Sequence, residues 1–70
     1  MRGFKTIYPN LLAELARNGY SYRAISKELD ISFSAFSKKM KGLNEFTLSE
    51  AFEITDILKS DIKYLFEKRK

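Results

Sequence analysis

The sequence predicts an all-α domain of five short helices, and two features carry that reading. Apolar residues recur three and four positions apart, the period that places them on one face of a helix. Between these stretches stand residues that start or stop helices: Pro9, Gly19, Ser21, Ser32, Gly42, Thr47 and Asp61. No repeat, low-complexity stretch or linker divides the chain, so residues 1–70 read as one domain.

The first helix is expected over about residues 9–18. Pro9 suits its first turn, where a missing N–H costs nothing, and Leu11, Leu12, Leu15 and Ala16 recur at helical spacing. Gly19 can take the left-handed conformation that ends a helix, with Tyr20 supplying the apolar contact that follows. Ser21 caps a second helix over 22–29, in which Ile25 and Leu29 share a face. Ser32 caps a third over 33–41, in which Phe36 and Met40 repeat that spacing before Gly42. The link Asp30-Ile31-Ser32 is too short for antiparallel packing, so helices two and three meet at a steep angle over Ile31. Thr47 and Glu50 have the spacing of a capping box, with Phe46 and Ala51 as its staple, and open a fourth helix over 48–58. Leu48, Ala51, Ile54 and Leu58 are its expected buried stripe. After Lys59-Ser60 a fifth helix is expected over 61–67, with Ile62, Leu65 and Phe66 inward and Lys68, Arg69 and Lys70 complementing its negative end.

Composition narrows the function. Without cysteine or histidine the chain has no thiolate or imidazole ligand, and no base and nucleophile stand at a recognisable spacing, so neither a metal, a cofactor nor an enzyme is expected. Apolar runs are too short for a membrane span or an export signal, which favours a cytoplasmic protein with no membrane partner. The net charge of +4 is segregated: residues 17–41 carry six bases against Glu28 and Asp30, whereas residues 42–67 carry Lys59 and Lys63 against six acids. A basic middle and an acidic second half suit a domain with one side facing a polyanion. Ordinary solvated surface charge is the plainer explanation of the same pattern. Seventy residues also give a small core, so a second copy would help to hold the fold.

The stretch from Ser21-Tyr22-Arg23-Ala24-Ile25-Ser26 through Asp30-Ile31-Ser32 to Phe36-Ser37-Lys38-Lys39-Met40-Lys41-Gly42 resembles the helix-turn-helix of phage repressor and Cro-like (XRE-type) regulators. The likeness continues through Phe46-Thr47-Leu48-Ser49-Glu50-Ala51 to Ile62-Lys63-Tyr64-Leu65-Phe66, so that about residues 8–66 are covered. Tyr22 stands where the family usually has a glutamine that bonds phosphate, Asp30 where it usually has glycine, and Ser26 where it prefers alanine. The resemblance implies a lambda repressor-like fold and a DNA-binding transcriptional regulator that acts as a repressor, dimeric on a two-fold symmetric operator with half-sites about 34 Å apart. It also implies a minimal regulator, with no separate oligomerisation or self-cleavage domain. The dimer contact would then come from helix five or the loop at 42–46, with Tyr64 and Phe66 as apolar candidates.

On this reading Ser34, Ser37 and Lys38 face base edges, Lys38 as a donor to guanine and the serines as adaptable partners. Phe33 is open to two readings: exposed, its ring meets a thymine methyl; buried, it joins Phe36 and Met40. Tyr22, Arg23, Lys39, Lys41 and Asn44 are the candidates for phosphate, which positions the protein without specifying sequence. Arg2 and Lys5 form a basic tail near an adjacent groove or in solvent. A second class of function is a protein-interaction module such as an antitoxin or antirepressor, whose apolar patch would come from Phe4, Tyr8, Tyr20, Phe52 and Tyr64. Double-stranded DNA and a second copy are thus the expected partners, and no small-molecule substrate is expected.

Overall fold

The computed structural model describes residues 6–69. It is all-helical, with α1 Pro9–Arg17, α2 Tyr22–Glu28, α3 Phe33–Met40, α4 Leu48–Leu58 and α5 Ile62–Leu65, and no strand among the described residues. Helix α2 packs on α3, and α5 packs on both α1 and α4.

The helix starts are built as their residues dictate. Ser21, Ser32 and Asp61 each accept a hydrogen bond from a backbone N–H three residues on, those of Ala24, Ala35 and Tyr64. The Thr47–Glu50 capping box is complete: the Glu50 N–H donates to Thr47 Oγ1 and the Thr47 N–H to Glu50 Oε1. The first three helices stop by one device, a left-handed residue after the last turn with two backbone bonds folded back across it. Gly19, Asp30 and Gly42 take φ of 77°, 60° and 85°. The following N–H groups of Tyr20, Ile31 and Leu43 reach back to the carbonyls of Leu15, Ser26 and Lys38 at 2.8–3.0 Å. Asp30 thus does the work of the glycine expected at its position, because its short polar side chain tolerates the left-handed region.

Phe36, Leu11, Leu15, Ile25, Met40, Ile54 and Leu65 are fully buried. A run of edge-to-face aromatic rings ties the two halves of the chain together: Tyr22 meets Phe36 with centroids 5.0 Å apart, Phe36 meets Phe46 at 5.7 Å, and Phe46 meets Phe66 at 5.3 Å. Tyr8 joins the same cluster, 5.6 Å from both Phe46 and Phe66.

Four expectations are corrected. The fifth helix is four residues, ending at Leu65 rather than near 67, because Phe66 leaves helical geometry to place its ring against Tyr8 and Phe46. In the tail beyond it Arg69 is engaged elsewhere than at the helix end: its N–H donates to the Ile7 carbonyl at 2.7 Å and its Nε to that of Thr6. On α4, Leu48 is 69 % exposed, and the buried stripe is Ala51, Ile54 and Leu58. On α1, Ala16 likewise faces outward while Leu11 and Leu15 fill the core.

Tyr8, a candidate for an exposed apolar patch, is instead buried in the core with Tyr20 packed against it, and Thr6 and Ile7, for which the sequence offers no signal, acquire a role. The Ile7 N–H and the Thr6 hydroxyl both donate to the Met40 carbonyl, at 3.0 and 2.8 Å. The last turn of α3 is thereby tied to the start of the described chain, which in turn is tied to Arg69. Arg2, Phe4, Lys5 and Lys70 lie outside the described residues.

Candidate nucleic-acid interface

Helix α3 buries Phe36 and Met40 completely, and this fixes which of its side chains look outward. Ser34, Lys38 and Lys41 are exposed on the opposite face, whereas Ser37 is half-buried at its margin. The eight residues of α3 make a rod about 12 Å long, and a helix with side chains is about 10–12 Å across, the width of the DNA major groove. Asn44 is exposed in the loop that follows.

Phe33 is neither core nor free. It is 37 % exposed, its ring tilted 6.4 Å from Tyr22, and the Arg23 guanidinium lies over its outer face, 4.9 Å from the centroid. This cation–π contact joins the start of α2 to the start of α3 and holds Arg23 beside the exposed face.

Two of the five phosphate candidates face inward. Tyr22 is a core residue, its ring against Phe36 and its hydroxyl oxygen buried, and burial pushes that hydroxyl's pKa up to about 12. A phosphate contact needs the hydroxyl at the surface, so the glutamine-like role expected from the resemblance does not carry over. Lys39 is taken up within the fold. Its ammonium lies 3.1 Å from the Glu50 carboxylate, donates to the Glu45 carbonyl at 3.0 Å and stands over the Phe46 ring. Burial alone would raise the pKa of Glu50, but bonds from the Thr47 N–H and from Lys39 outweigh it and hold the carboxyl below its ordinary value. The pair clamps the loop between α3 and α4.

Arg23 and Lys41 remain exposed, and Lys27 joins them. Lys27 stands four residues after Arg23, one turn along the same face of α2, and both line an open crevice between α2 and α3 with Ala24, Ile31 and Phe33. Its i, i+4 relation to Arg23 was the signal in the sequence. Among the described residues Arg23, Lys27, Lys38 and Lys41 enter no ion pair, in contrast to Arg17 and Lys39. Ser26 is buried and donates to the Arg23 carbonyl at 2.9 Å, so a small hydroxyl replaces the small apolar side chain without an unmet bond.

No cluster of carboxylates suited to a metal occurs among the described residues, and no helix among them is long and apolar enough to cross a membrane. Comparison with protein families, with characterised proteins and with solved structures finds no match to this chain.

Proposed function

We propose that this protein is a cytoplasmic, sequence-specific double-stranded DNA-binding regulator of the phage repressor and Cro-like kind, reading the major groove with the outer face of α3. The observation that carries the reading is a set of bases gathered on α2, α3 and the C-cap of α3 that enter no ion pair among the described residues: Arg23, Lys27, Lys38 and Lys41. Cations not committed to an ion pair need break none to meet phosphate, and their counterions are released on contact. In this reading Lys38 and Ser34 meet base edges, with Ser37 at the margin and the rim of Phe33 available to a thymine methyl. Arg23, Lys27, Lys41 and Asn44 meet the backbone.

A dimer on a two-fold operator belongs to the same proposal. Phe66 is packed in the core, so of the two aromatic candidates for self-association Tyr64 remains, 41 % exposed, together with Leu43 in the 42–46 loop. Binding selection from a randomised duplex pool at near-physiological salt tests the reading. Enrichment of a two-fold symmetric motif with half-sites about one helical turn apart is the expected result. Retention that vanishes with modest salt and selects no motif would leave only non-specific attraction and reject it.

A further inference from the structure

Apart from Asn44, the acidic half of the chain lies outside the proposed DNA face, and it carries the most exposed large apolar side chains of the described residues. Leu48 is 69 % and Phe52 55 % exposed, and their four-residue separation stacks them on one outward ridge of α4. On one side Leu48 forms the edge of a hollow of about 240 Å³ between α4 and α5, walled by Ala51, Ile62 and Phe66, with Glu45 and Lys68 at its rim. On the other side, Phe52 has Asp56 one turn ahead and Glu53 beside it. Neither carboxylate is ion-paired among the described residues, and α4 contains no lysine or arginine. Exposed apolar side chains side by side, flanked on the Phe52 side by unpaired carboxylates and on the Leu48 side by Lys68, mark an interaction surface rather than scattered surface hydrophobes.

We propose that this α4 face is a docking site for a basic amphipathic segment of a partner protein, an apolar stripe seated on Leu48 and Phe52 with lysines or arginines facing Glu53 and Asp56. Charge selects this occupant over a second copy. A two-fold contact presents the same patch from both sides, which would bring two sets of the same carboxylates into one interface. An amphipathic helix supplies apolar residues at i, i+4 spacing to match the ridge and bases to match its flank. The site stands on α4 and is independent of the DNA reading, which rests on α2 and α3.

The full chain, isotopically labelled, is titrated with a synthetic peptide of leucines at i, i+3 and i+4 with lysines elsewhere, and with the same peptide carrying glutamate for lysine. The expected result is shifts centred on residues 48–56 with the lysine peptide and none with the glutamate peptide. Affinity should fall at least about tenfold in the Leu48→Ser/Phe52→Ser variant, which keeps every charge, and in Glu53→Gln/Asp56→Asn, which keeps every apolar group. Both variants change exposed side chains, and an unchanged helical circular dichroism spectrum verifies their fold. Lys38→Ala should leave peptide binding intact, so that failure of the DNA reading and failure of this one are seen separately. Absence of binding, equal binding of the two peptides, or shifts centred on other elements would overturn the proposal. So would a dimer in sedimentation that Leu48→Ser/Phe52→Ser dissociates, because the occupant would then be a second copy.

Discussion

Gly42 and Gly19 close helices in nearly the same backbone conformation, φ of +85° and +77°, yet only one has a neighbour where a side chain would go. A Cβ at Gly42 would lie 2.8 Å from Ile7 Cδ1, whereas a Cβ at Gly19 meets nothing within 4 Å. Gly19→Ala should therefore show the backbone cost alone. The left-handed conformation costs an L-residue about 1–2 kcal/mol, partly offset by the lower entropy of the unfolded alanine chain, for a net loss of about 0.5–1 kcal/mol. Gly42→Ala adds a steric conflict with Ile7, and because Ile7 is only half-buried and can shift, the extra loss falls at the low end of overpacking, about 1–2 kcal/mol. In a domain of this size that difference separates the two midpoints by about 4–16 °C in thermal unfolding followed by circular dichroism. Ile7→Val removes Cδ1 and should shrink the extra loss at Gly42 without altering that at Gly19. Equal losses for the two alanines, or no relief from Ile7→Val, would refute the claim that residues 6–8 are seated against the end of α3.

Two further expectations concern pH. Because the Glu50 carboxyl is held below its ordinary value, its contribution to stability is complete above about pH 4.5 and is lost as pH falls through its folded pKa. Glu50→Gln should accordingly lose more stability at pH 7 than at pH 3, measured by urea unfolding. At the alkaline end the preference reverses, because burial favours the neutral form of Tyr22. The Tyr22 hydroxyl ionises near pH 10 when unfolded and only near 12 when folded, so stability should decline between those values, and the decline should be shallower in Tyr22→Phe.

Much of the fold was legible because its signals are local. A cap, a capping box or a left-handed stop needs only a few neighbouring residues, and Ser21, Ser32, Thr47, Gly19 and Gly42 each act where their types and positions indicate. What escaped depends on distant parts of the chain. Nothing near Lys39 in sequence announces that Glu50 will receive it, and helical spacing alone does not tell Leu48 from Ala51 at the edge of a buried stripe. Phe66 leaves its helix because Tyr8 and Phe46 stand ready to receive its ring, a contact spanning nearly the whole chain. The candidate interface divided in the same way. Ser34, Lys38 and Lys41 followed from being opposite Phe36 and Met40, while Tyr22 and Lys39 were lost to interior partners and Lys27 came forward on the structure.

The contrast between Lys38 and its neighbour Lys39 puts the DNA reading to its most direct test, because the two differ in direction and not in charge. Each is replaced by alanine, and affinity for a duplex enriched by selection is measured by fluorescence anisotropy, well below the unfolding midpoint of both variants. Lys38→Ala should weaken binding by at least about tenfold. Lys39→Ala should lower the unfolding midpoint while changing affinity less than about threefold, since its charge is already engaged by Glu50. Wild-type affinity in Lys38→Ala, or an equal loss in both variants, would contradict a DNA-reading face on the outer side of α3.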